Sequence, residues 1–250
     1  MSGHMVIIGG GKAGARAAVG LREQGHDGPI TLITGEAHAP YDRPPLSKAV
    51  ITDDEEPLPP FLTDVETLAS IHVSLITYNP AVSLDRAGKT VTLEDGTTVP
   101  YDKLLIVTGA VPRRLALPAA DSTLVRYLRT FEDAVALRSA ILPGKRIIII
   151  GGGFIGLEVA SSARKRGAEV TLIEGLPRVL ARGVPEEIAA IVTKRHLAEG
   201  VDLRTATGIT GFEETSGGIA VKLADGSSIQ GYLVLVGIGA VPVTALAEQA

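Results

Sequence analysis

The chain contains two copies of a glycine-rich turn, each between an apolar strand and a helix. The first copy is VIIGGGKAG at 6–14, and the second is IIIGGGFIG at 148–156. Each gives an apolar strand, then G-x-G-x-x-G, then an Ala/Leu/Val-rich helix, the order found in dinucleotide-binding α/β folds. One such motif is weak evidence, because tight glycine turns are common between strands and helices. Two copies in this context predict two dinucleotide sites, and such a protein is most simply one that moves electrons between two bound dinucleotides.

The three glycines of each motif have different expected roles. In the second copy, Gly151 makes the tight turn, Gly153 lets the backbone approach a pyrophosphate, and Gly156 lets the helix pack closely on its strand. The residues at the same places in the first copy are Gly9, Gly11 and Gly14. The helix N-terminus then presents unpaired N–H groups to the phosphates. The alternative is that both motifs are merely tight corners.

An acidic residue at the end of the next strand is the second element of this pattern, because it can accept hydrogen bonds from an adenosine ribose. In the second copy the strand ends on Glu174. In the first copy Thr34 stands at the matching place, followed by Gly35 and Glu36. The ribose there is held by Glu36, by the Gly35 backbone, or by both.

The duplication extends beyond the glycines. The stretch LEDGTTV at 93–99 recurs as LADGSSI at 223–229, and Gly-Ala-Val-Pro at 109–112 recurs at 239–242. Each Asp-Gly predicts a hairpin turn. The fold class is therefore α/β, with two Rossmann-like dinucleotide-binding modules that each carry an inserted antiparallel hairpin layer. We expect an FAD-binding domain at 1–112, to which 241–250 returns, and an NADH-binding domain at 113–240.

Composition excludes several functions. The chain has no cysteine, which removes thiol redox chemistry, and its five histidines show no metal-ligating spacing, so we expect no metal. A net charge of −4 with no basic face argues against nucleic acid. No apolar run long enough to span a membrane and no signal peptide are present, so we expect a cytoplasmic protein without a membrane partner. The cluster Arg164–Arg166 is interpreted as a basic helix end, and only secondarily as a docking patch for an acidic protein.

The stretch PYDRPPLSK at 40–48 is the most specific motif in the chain. Together with the two glycine turns and the segments TGA at 108–110, LRT at 128–130, FIGLE at 154–158 and LAR at 180–182, it resembles the FAD/NADH-dependent ferredoxin reductases of bacterial oxygenase systems. Rubredoxin reductases and apoptosis-inducing factor are relatives of that group. The resemblance covers essentially the whole chain. It implies electron transfer from NADH through FAD to an iron–sulfur ferredoxin or rubredoxin that binds transiently.

The resemblance also implies which residues hold each cofactor. The positions that match FAD contacts are Gly9, Gly11, Ala13, Gly14, Arg43, Lys48, Ala81, Thr108, Gly109 and Arg129. The positions that match NADH contacts are Gly151, Gly153, Ile155, Gly156, Glu174 and Arg182. Gly35 departs from the pattern, because relatives usually carry Asp or Glu there, which weakens the assignment of the first ribose.

Lys48 and Glu158 are the candidate catalytic pair. By the resemblance, Lys48 lies beside the isoalloxazine, where its charge stabilises the reduced flavin, and Glu158, in the first turn of its helix, holds that lysine. The alternative is an ordinary surface ion pair worth less than about 1 kcal/mol.

The sequence leaves the following alternatives for function: an NADH:ferredoxin or rubredoxin reductase, an NADH oxidase or redox-signalling flavoprotein of the same fold, or a nucleotide-binding fragment without electron transfer. Relatives continue beyond the position of Ala250 with a further FAD-contacting segment and an interface domain. We therefore expect this 250-residue chain to be truncated and its FAD site to be incomplete. An inactive protein is compatible with that expectation. Glu174 predicts a preference for NADH over NADPH, because its carboxylate would face the 2′-phosphate.

Overall fold

A computed structural model describes residues 2–250 of the chain and divides them into two compact units. Unit 1 contains residues 2–42, 59–111 and 242–250, and unit 2 contains residues 43–58 and 112–241. The segment 43–58, which the sequence expectation placed in the first module, therefore belongs to the compact unit built around the second glycine turn. Each unit is described by itself below.

The secondary structure alternates short strands and helices. The helices are α1 Lys12–Glu23, α2 Ala49–Thr52, α3 Val65–Ser70, α4 Phe131–Ala140, α5 Phe154–Lys165, α6 Glu186–Ala198 and α7 Ala245–Glu248, with a 3-10 helix over Pro44–Ser47. The strands are β1 Met5–Ile8, β2 Ile30–Ile33, β3 Val73–Ile76, β4 Ala81–Asp85, β5 Thr90–Leu93, β6 Thr98–Pro100, β7 Lys103–Ile106, β8 Ala110–Pro112, β9 Val125–Arg126, β10 Arg146–Ile150, β11 Glu169–Ile173, β12 Val201–Arg204, β13 Ile209–Thr215, β14 Gly218–Leu223, β15 Ser228–Gly231, β16 Leu233–Val236 and β17 Ala240–Pro242.

Unit 1 is built on a four-stranded parallel sheet in the order β3-β2-β1-β7. Successive side chains of β1 point to opposite faces. Val6 and Ile8 pack with the antiparallel sheet β4-β5-β6, whereas Ile7 packs with Ala18 of α1 and Leu68 of α3. The expected layers, with helices on one face and a hairpin sheet on the other, are confirmed.

Unit 2 repeats the same plan on a five-stranded parallel sheet in the order β12-β11-β10-β16-β9. Ile148 and Ile150 of β10 pack against Phe212 and Val221 of the antiparallel sheet β13-β14-β15. Strand β10 is apolar at four successive positions because both of its faces are covered, as parallel strands require. The predicted second Rossmann-like module is confirmed.

The two hairpins close with equivalent aspartate turns. Asp95 accepts a hydrogen bond from the Thr97 amide at 2.8 Å, and Asp225 accepts one from the Ser227 amide at 2.9 Å. The Thr97 amide lowers the pKa of Asp95, and the Ser227 hydroxyl, followed by its amide, lowers the pKa of Asp225. Sequence-identified Asp-Gly turns therefore occur at the same place in both modules.

The third glycine of each motif lies where the helix packs directly against the preceding glycine turn, and this close approach leaves no room for a Cβ atom. A Cβ on Gly156 would overlap the carbonyl oxygen of Gly151, and a Cβ on Gly14 would overlap the carbonyl oxygen of Gly9. Both contacts are with backbone, which cannot swing aside as a flexible side chain can. By contrast, a Cβ on Gly153 would meet no atom within 4 Å.

We expect Gly156→Ala to lower the free energy of unfolding by about 3 kcal/mol, the upper part of the usual range for overpacking, because the added methyl must displace backbone. The matched variant Gly153→Ala adds the same methyl group three residues earlier and should cost less than about 1 kcal/mol. Urea unfolding of both proteins measures the difference. Equal losses would show that close packing is not what selects Gly156.

Candidate dinucleotide-binding site

The glycine turn of unit 2 presents the N-terminus of α5 to open space. Gly151 follows β10 with φ +107°, in a region that favours glycine, and Gly153 is the N-cap of α5 in extended backbone. No side chain caps the first turn of this helix. Its leading N–H groups and the positive end of its dipole are therefore available to an anion such as a pyrophosphate.

The glycine turn of unit 1 has the same construction. Gly9 follows β1 with φ +123°, and Gly11 is the N-cap of α1 without a side-chain cap. Ala13 is the second residue of α1 and is exposed, whereas Gly14 is buried against the turn. The structure thus places all four residues of the first motif at a strand-to-helix corner.

Glu174 ties the end of β11 to the glycine turn. One carboxylate oxygen accepts a hydrogen bond from the Gly152 amide at 2.7 Å, and the other accepts one from the Leu176 amide at 2.8 Å. Two backbone donors hold the side chain in one orientation while it stays partly exposed. A carboxylate fixed beside a helix N-terminus is suited to accept hydrogen bonds from ribose hydroxyls.

The matching strand end of unit 1 is different. Thr34 is buried there, and its hydroxyl accepts a hydrogen bond from the Glu36 amide at 3.2 Å. The Glu36 carboxylate lies two residues further on and accepts a hydrogen bond from the Tyr41 hydroxyl. Gly35 adjoins Pro80, which faces the space where its Cβ would stand.

Ala81, Thr108 and Gly109, which are also expected in the first site, lie in unit 1. Arg43, Lys48 and Arg129, which are expected there too, lie in unit 2. Ala81 begins β4, opposite Leu93 of β5. Thr108 donates its hydroxyl to the Val243 carbonyl at 2.6 Å, and the Gly109 carbonyl accepts from the Val243 amide at 3.0 Å. These bonds hold the segment after β7 against residue 243 of the same unit.

A cavity of about 970 Å³ in unit 2 brings many of the predicted residues together. Its volume lies at the upper end of the range for small-molecule and cofactor sites. The predicted residues that line it are Arg43, Lys48, Arg129, Gly151, Gly153, Ile155, Glu158, Glu174 and Arg182. Gly156 lies behind this lining, buried in α5. The glycine turn, the strand-end carboxylate and the lysine–glutamate pair therefore share one cavity.

Lys48 and Glu158 form a direct ion pair. The Lys48 Nζ lies 2.8 Å from Glu158 Oε1 and also donates to the Pro44 carbonyl at 3.1 Å. The side chains are 50% and 31% exposed, so the pair adds less than about 1 kcal/mol to stability. Glu158 is the fifth residue of α5 and lies in its second turn. The expectation that it lies in the first turn was wrong, because the helix begins as early as Phe154, four residues before Glu158.

Sequence reasoning missed the residues that hold the segment 43–58 in unit 2. Arg138 of α4 donates to the carbonyls of Val50, Asp53 and Glu55, and Arg166 donates to the Ile51 carbonyl at 3.1 Å. Arg43 donates to the Arg129 carbonyl at 2.7 Å. No local sequence signal could identify these partners, because they are far apart along the chain.

The basic cluster after α5 has a structural role. Arg164 donates to the Glu199 carbonyl at 2.9 Å and to the Ala168 carbonyl at 2.7 Å, and Arg166 donates to Ile51 as described above. Carbonyl groups at helix ends and in loops are natural partners for such cations. These contacts support the helix-end interpretation over a docking patch.

Arg178 organises the loop that follows β11. Its guanidinium donates to the carbonyls of Val179, Ala181 and Val184 at 3.2–3.4 Å. The Leu180 amide in turn donates to the Gly152 carbonyl at 2.9 Å. The loop is thus closed on itself and joined to the glycine turn, and the exposed Arg182 projects from it at the cavity lining.

Two kinds of feature are missing from residues 2–250. Within this range no helix is long and apolar enough to cross a bilayer. The same residues contain no group of three or more His, Asp or Glu side chains that could hold a metal ion.

The duplicated sheet, the two uncapped glycine turns and the fixed strand-end carboxylate define a two-module dinucleotide-binding α/β protein. Residues 3–250 match the family model described as pyridine nucleotide-disulphide oxidoreductase, and the chain belongs to that family. Because these 250 residues contain no cysteine, none of them can form a redox-active disulphide.

Curated and structural relatives are similar over almost the whole chain. The ferredoxin–NAD(+) reductase component of the anthranilate 1,2-dioxygenase system of Burkholderia cepacia is 37% identical, with 98% of this chain and 60% of that protein covered. The rubredoxin-NAD(+) reductase of Pseudomonas putida is 41% identical, with 98% and 64% covered. The covalent putidaredoxin reductase–putidaredoxin complex matches with a TM-score of 0.93 at 36% identity, covering 98% of this chain and 60% of the matched chain. The present chain thus spans about 60% of the length of these relatives.

We expect Arg178→Gln to open the loop 176–184, because the variant loses a charged donor shared by three carbonyls. Amide hydrogen exchange at Leu180, Gly183 and Val184 should accelerate roughly tenfold, as expected for the loss of one hydrogen-bonded charged group. Exchange measured by NMR or mass spectrometry checks this. Arg182→Gln on the same loop is the control and should leave these rates unchanged; equal acceleration in both variants would contradict the assignment.

Proposed function

We propose that the protein is an NADH-dependent flavoprotein oxidoreductase that passes electrons through FAD to a ferredoxin or rubredoxin serving an oxygenase system. One observation carries the proposal: the residues of unit 2 bring an uncapped glycine turn, a fixed strand-end carboxylate and the Lys48–Glu158 pair to one cavity. The names of the relatives, which are ferredoxin and rubredoxin reductases, supply the partner class.

The residues of unit 2 fit an NAD cofactor. Gly153 faces open space, so a pyrophosphate can approach the first N–H groups of α5. Glu174 offers a carboxylate to the adenosine ribose, and Arg182 offers a cation to the phosphates. We assign Gly151, Gly153, Ile155, Gly156, Glu174 and Arg182 to NADH binding.

The glycine turn of unit 1 fits FAD for the same physical reason. Gly11 caps α1 with no atom within 4 Å of its Cβ position, which leaves the turn open to a pyrophosphate. We assign Gly9, Gly11, Ala13, Gly14, Gly35, Glu36, Ala81, Thr108 and Gly109 to FAD. We also assign Arg43, Lys48 and Arg129 to FAD contacts.

The two nucleotides supply the redox chemistry when bound: NADH provides a hydride, and FAD converts this two-electron donor into a source of single electrons. The protein supplies orientation and charge. Lys48 places a positive charge at the wall of the cavity, and Glu158 fixes that charge by pairing with it at 2.8 Å. Ile155 and Leu180 contribute apolar surface to the same wall. We further propose a cytoplasmic location, because NADH, the proposed reductant, is an intracellular cofactor.

Two measurements test the proposal. NADH binding to the 250-residue chain is measured by calorimetry, since the proposed NADH site needs only unit 2. The FAD-reconstituted protein is then assayed for NADH-dependent cytochrome c reduction with and without ferredoxin or rubredoxin, beside oxygen consumption. We expect NADH binding and partner-dependent reduction. NADH-dependent oxygen consumption that does not change when ferredoxin or rubredoxin is added would identify an NADH oxidase instead. Absence of NADH binding would overturn the proposal.

We expect a preference for NADH over NADPH that depends on Glu174. Its carboxylate would face the 2′-phosphate of NADPH, and two like charges a few ångströms apart cost on the order of 1–3 kcal/mol, which is roughly ten- to a hundred-fold in affinity. Arg178 donates to three carbonyls of its own loop and so is engaged away from a phosphate. Arg182 is on the same loop and is exposed at the cavity lining.

Glu174→Gln tests charge separately from hydrogen bonding, because the amide keeps an oxygen that can accept from Gly152 or Leu176. Its NADH:NADPH affinity ratio should approach one. Glu169→Gln, the same substitution at the opposite end of β11, removes an exposed carboxylate paired with Arg146 and should leave the ratio unchanged. Equal affinities for NADH and NADPH in the unmodified protein would contradict the expected preference. An affinity ratio unaffected by Glu174→Gln would show that Glu174 does not cause it.

A further inference from the structure

Ser47 is a buried serine that touches the candidate catalytic pair. It is 4% exposed, and its hydroxyl donates to Glu158 Oε2 at 2.5 Å. The other oxygen of the same carboxylate, Oε1, lies 2.8 Å from Lys48 Nζ. The two carboxylate oxygens of Glu158 therefore contact two consecutive residues of the chain, Ser47 and Lys48.

A second serine fixes the backbone of Ser47. Ser162, also 4% exposed, donates its hydroxyl to the Ser47 carbonyl at 2.7 Å. Glu158 and Ser162 are four residues apart on α5, so their side chains lie on the same face of the helix. Two successive turns of α5 thus hold Ser47, one through its hydroxyl and one through its carbonyl.

We propose that Ser47 is a positioning residue for Lys48, acting through Glu158; this proposal rests on the proposed function, in which Lys48 serves the bound cofactors. A carboxylate held by one donor at each oxygen has a fixed orientation. With Oε2 committed to a buried hydroxyl, Oε1 is aimed at Lys48. The half-exposed lysine, which has a large rotamer entropy to lose, is then held in one place.

Ser162 has a separate, supporting part. Its hydroxyl holds the Ser47 carbonyl against α5. Among the described hydrogen bonds, it makes none to the carboxylate of Glu158. Arg138 and Arg166 hold the segment after Lys48 through its carbonyls. The segment therefore stays attached to unit 2 when the Ser47 hydroxyl alone is removed, so Ser47→Ala tests orientation rather than folding.

The first experiment measures how fast an amine-acylating reagent modifies Lys48, by peptide mass spectrometry on the purified chain. An exposed ion pair worth up to about 1 kcal/mol protects its lysine roughly twofold to fivefold. We expect Ser47→Ala to raise the Lys48 rate by that factor and to leave Lys145 and Lys222 unchanged. Ser139→Ala, which removes an exposed hydroxyl on α4 bonded to the Val135 carbonyl, is the matched control and should change nothing.

A double-mutant cycle separates positioning from general loosening. If Ser47 acts through Glu158, Glu158→Gln should raise the Lys48 rate by a similar factor, and Ser47→Ala should add little in that background. Additive effects, or no effect of Ser47→Ala on the Lys48 rate, would overturn the proposal. Because this labelling requires no flavin or nucleotide, its outcome is independent of whether the proposed function holds.

The second experiment measures turnover in the FAD-reconstituted protein. We expect Ser47→Ala to lower kcat roughly threefold to tenfold with little change in KM for NADH, since the hydroxyl donates to Glu158 of the Lys48–Glu158 pair and not to the glycine turn. A rise in KM alone, or a loss of thermal stability that accounts for the lower kcat, would assign Ser47 a purely structural role.

Discussion

The contact between the carbonyl of Gly151 and the Cα of Gly156 determines how unit 2 presents its cavity. Because no Cβ intervenes, α5 can begin directly against the end of β10, with its first N–H groups aimed past the turn. Gly9 and Gly14 repeat the arrangement in unit 1. The same turn is joined to the strand-end residue by the hydrogen bond from the Gly152 amide to Glu174 at 2.7 Å. The packing of α5 and the position of the turn that we propose for a pyrophosphate therefore depend on one steric condition.

The second constraint is the attachment of the segment 43–58 to unit 2. Arg138 and Arg166 hold its backbone carbonyls, and Ser162 holds the carbonyl of Ser47. All of these donors are side chains, and all of the acceptors are carbonyl groups of irregular or short helical backbone, which would otherwise need water. Lys48 consequently belongs to the same compact unit as Glu158 and the second glycine turn. The cation of the candidate site is thus built into the unit that carries the NAD-type turn.

The sequence predicted the features whose causes are local. Gly-rich corners, Asp-Gly hairpins and the apolar strands before the corners each follow from neighbouring residues, and the structure has them at the expected places. The Ser162–Ser47 bond joins residues 115 positions apart, and the Arg138–Asp53 bond joins residues 85 apart, so no local pattern could predict them. The prediction that Glu158 lies in the first turn of its helix was wrong. The turn in which a residue lies depends on where the helix begins, and the N-cap of α5 is Gly153.

The two modules combine the same glycine turn with different residues at the end of the next strand. Both keep the same turn geometry, since its steric requirement is independent of the ligand. They differ at the residue after the second strand, where one has a buried Thr34 and the other a partly exposed Glu174. A buried hydroxyl presents no charge to a ribose, whereas a carboxylate held by two amides presents a fixed one. We therefore expect substitution at this strand end to change which nucleotide the corner recognises without disturbing how it is packed. The asymmetry between otherwise equivalent modules is where we expect their nucleotide preferences to separate.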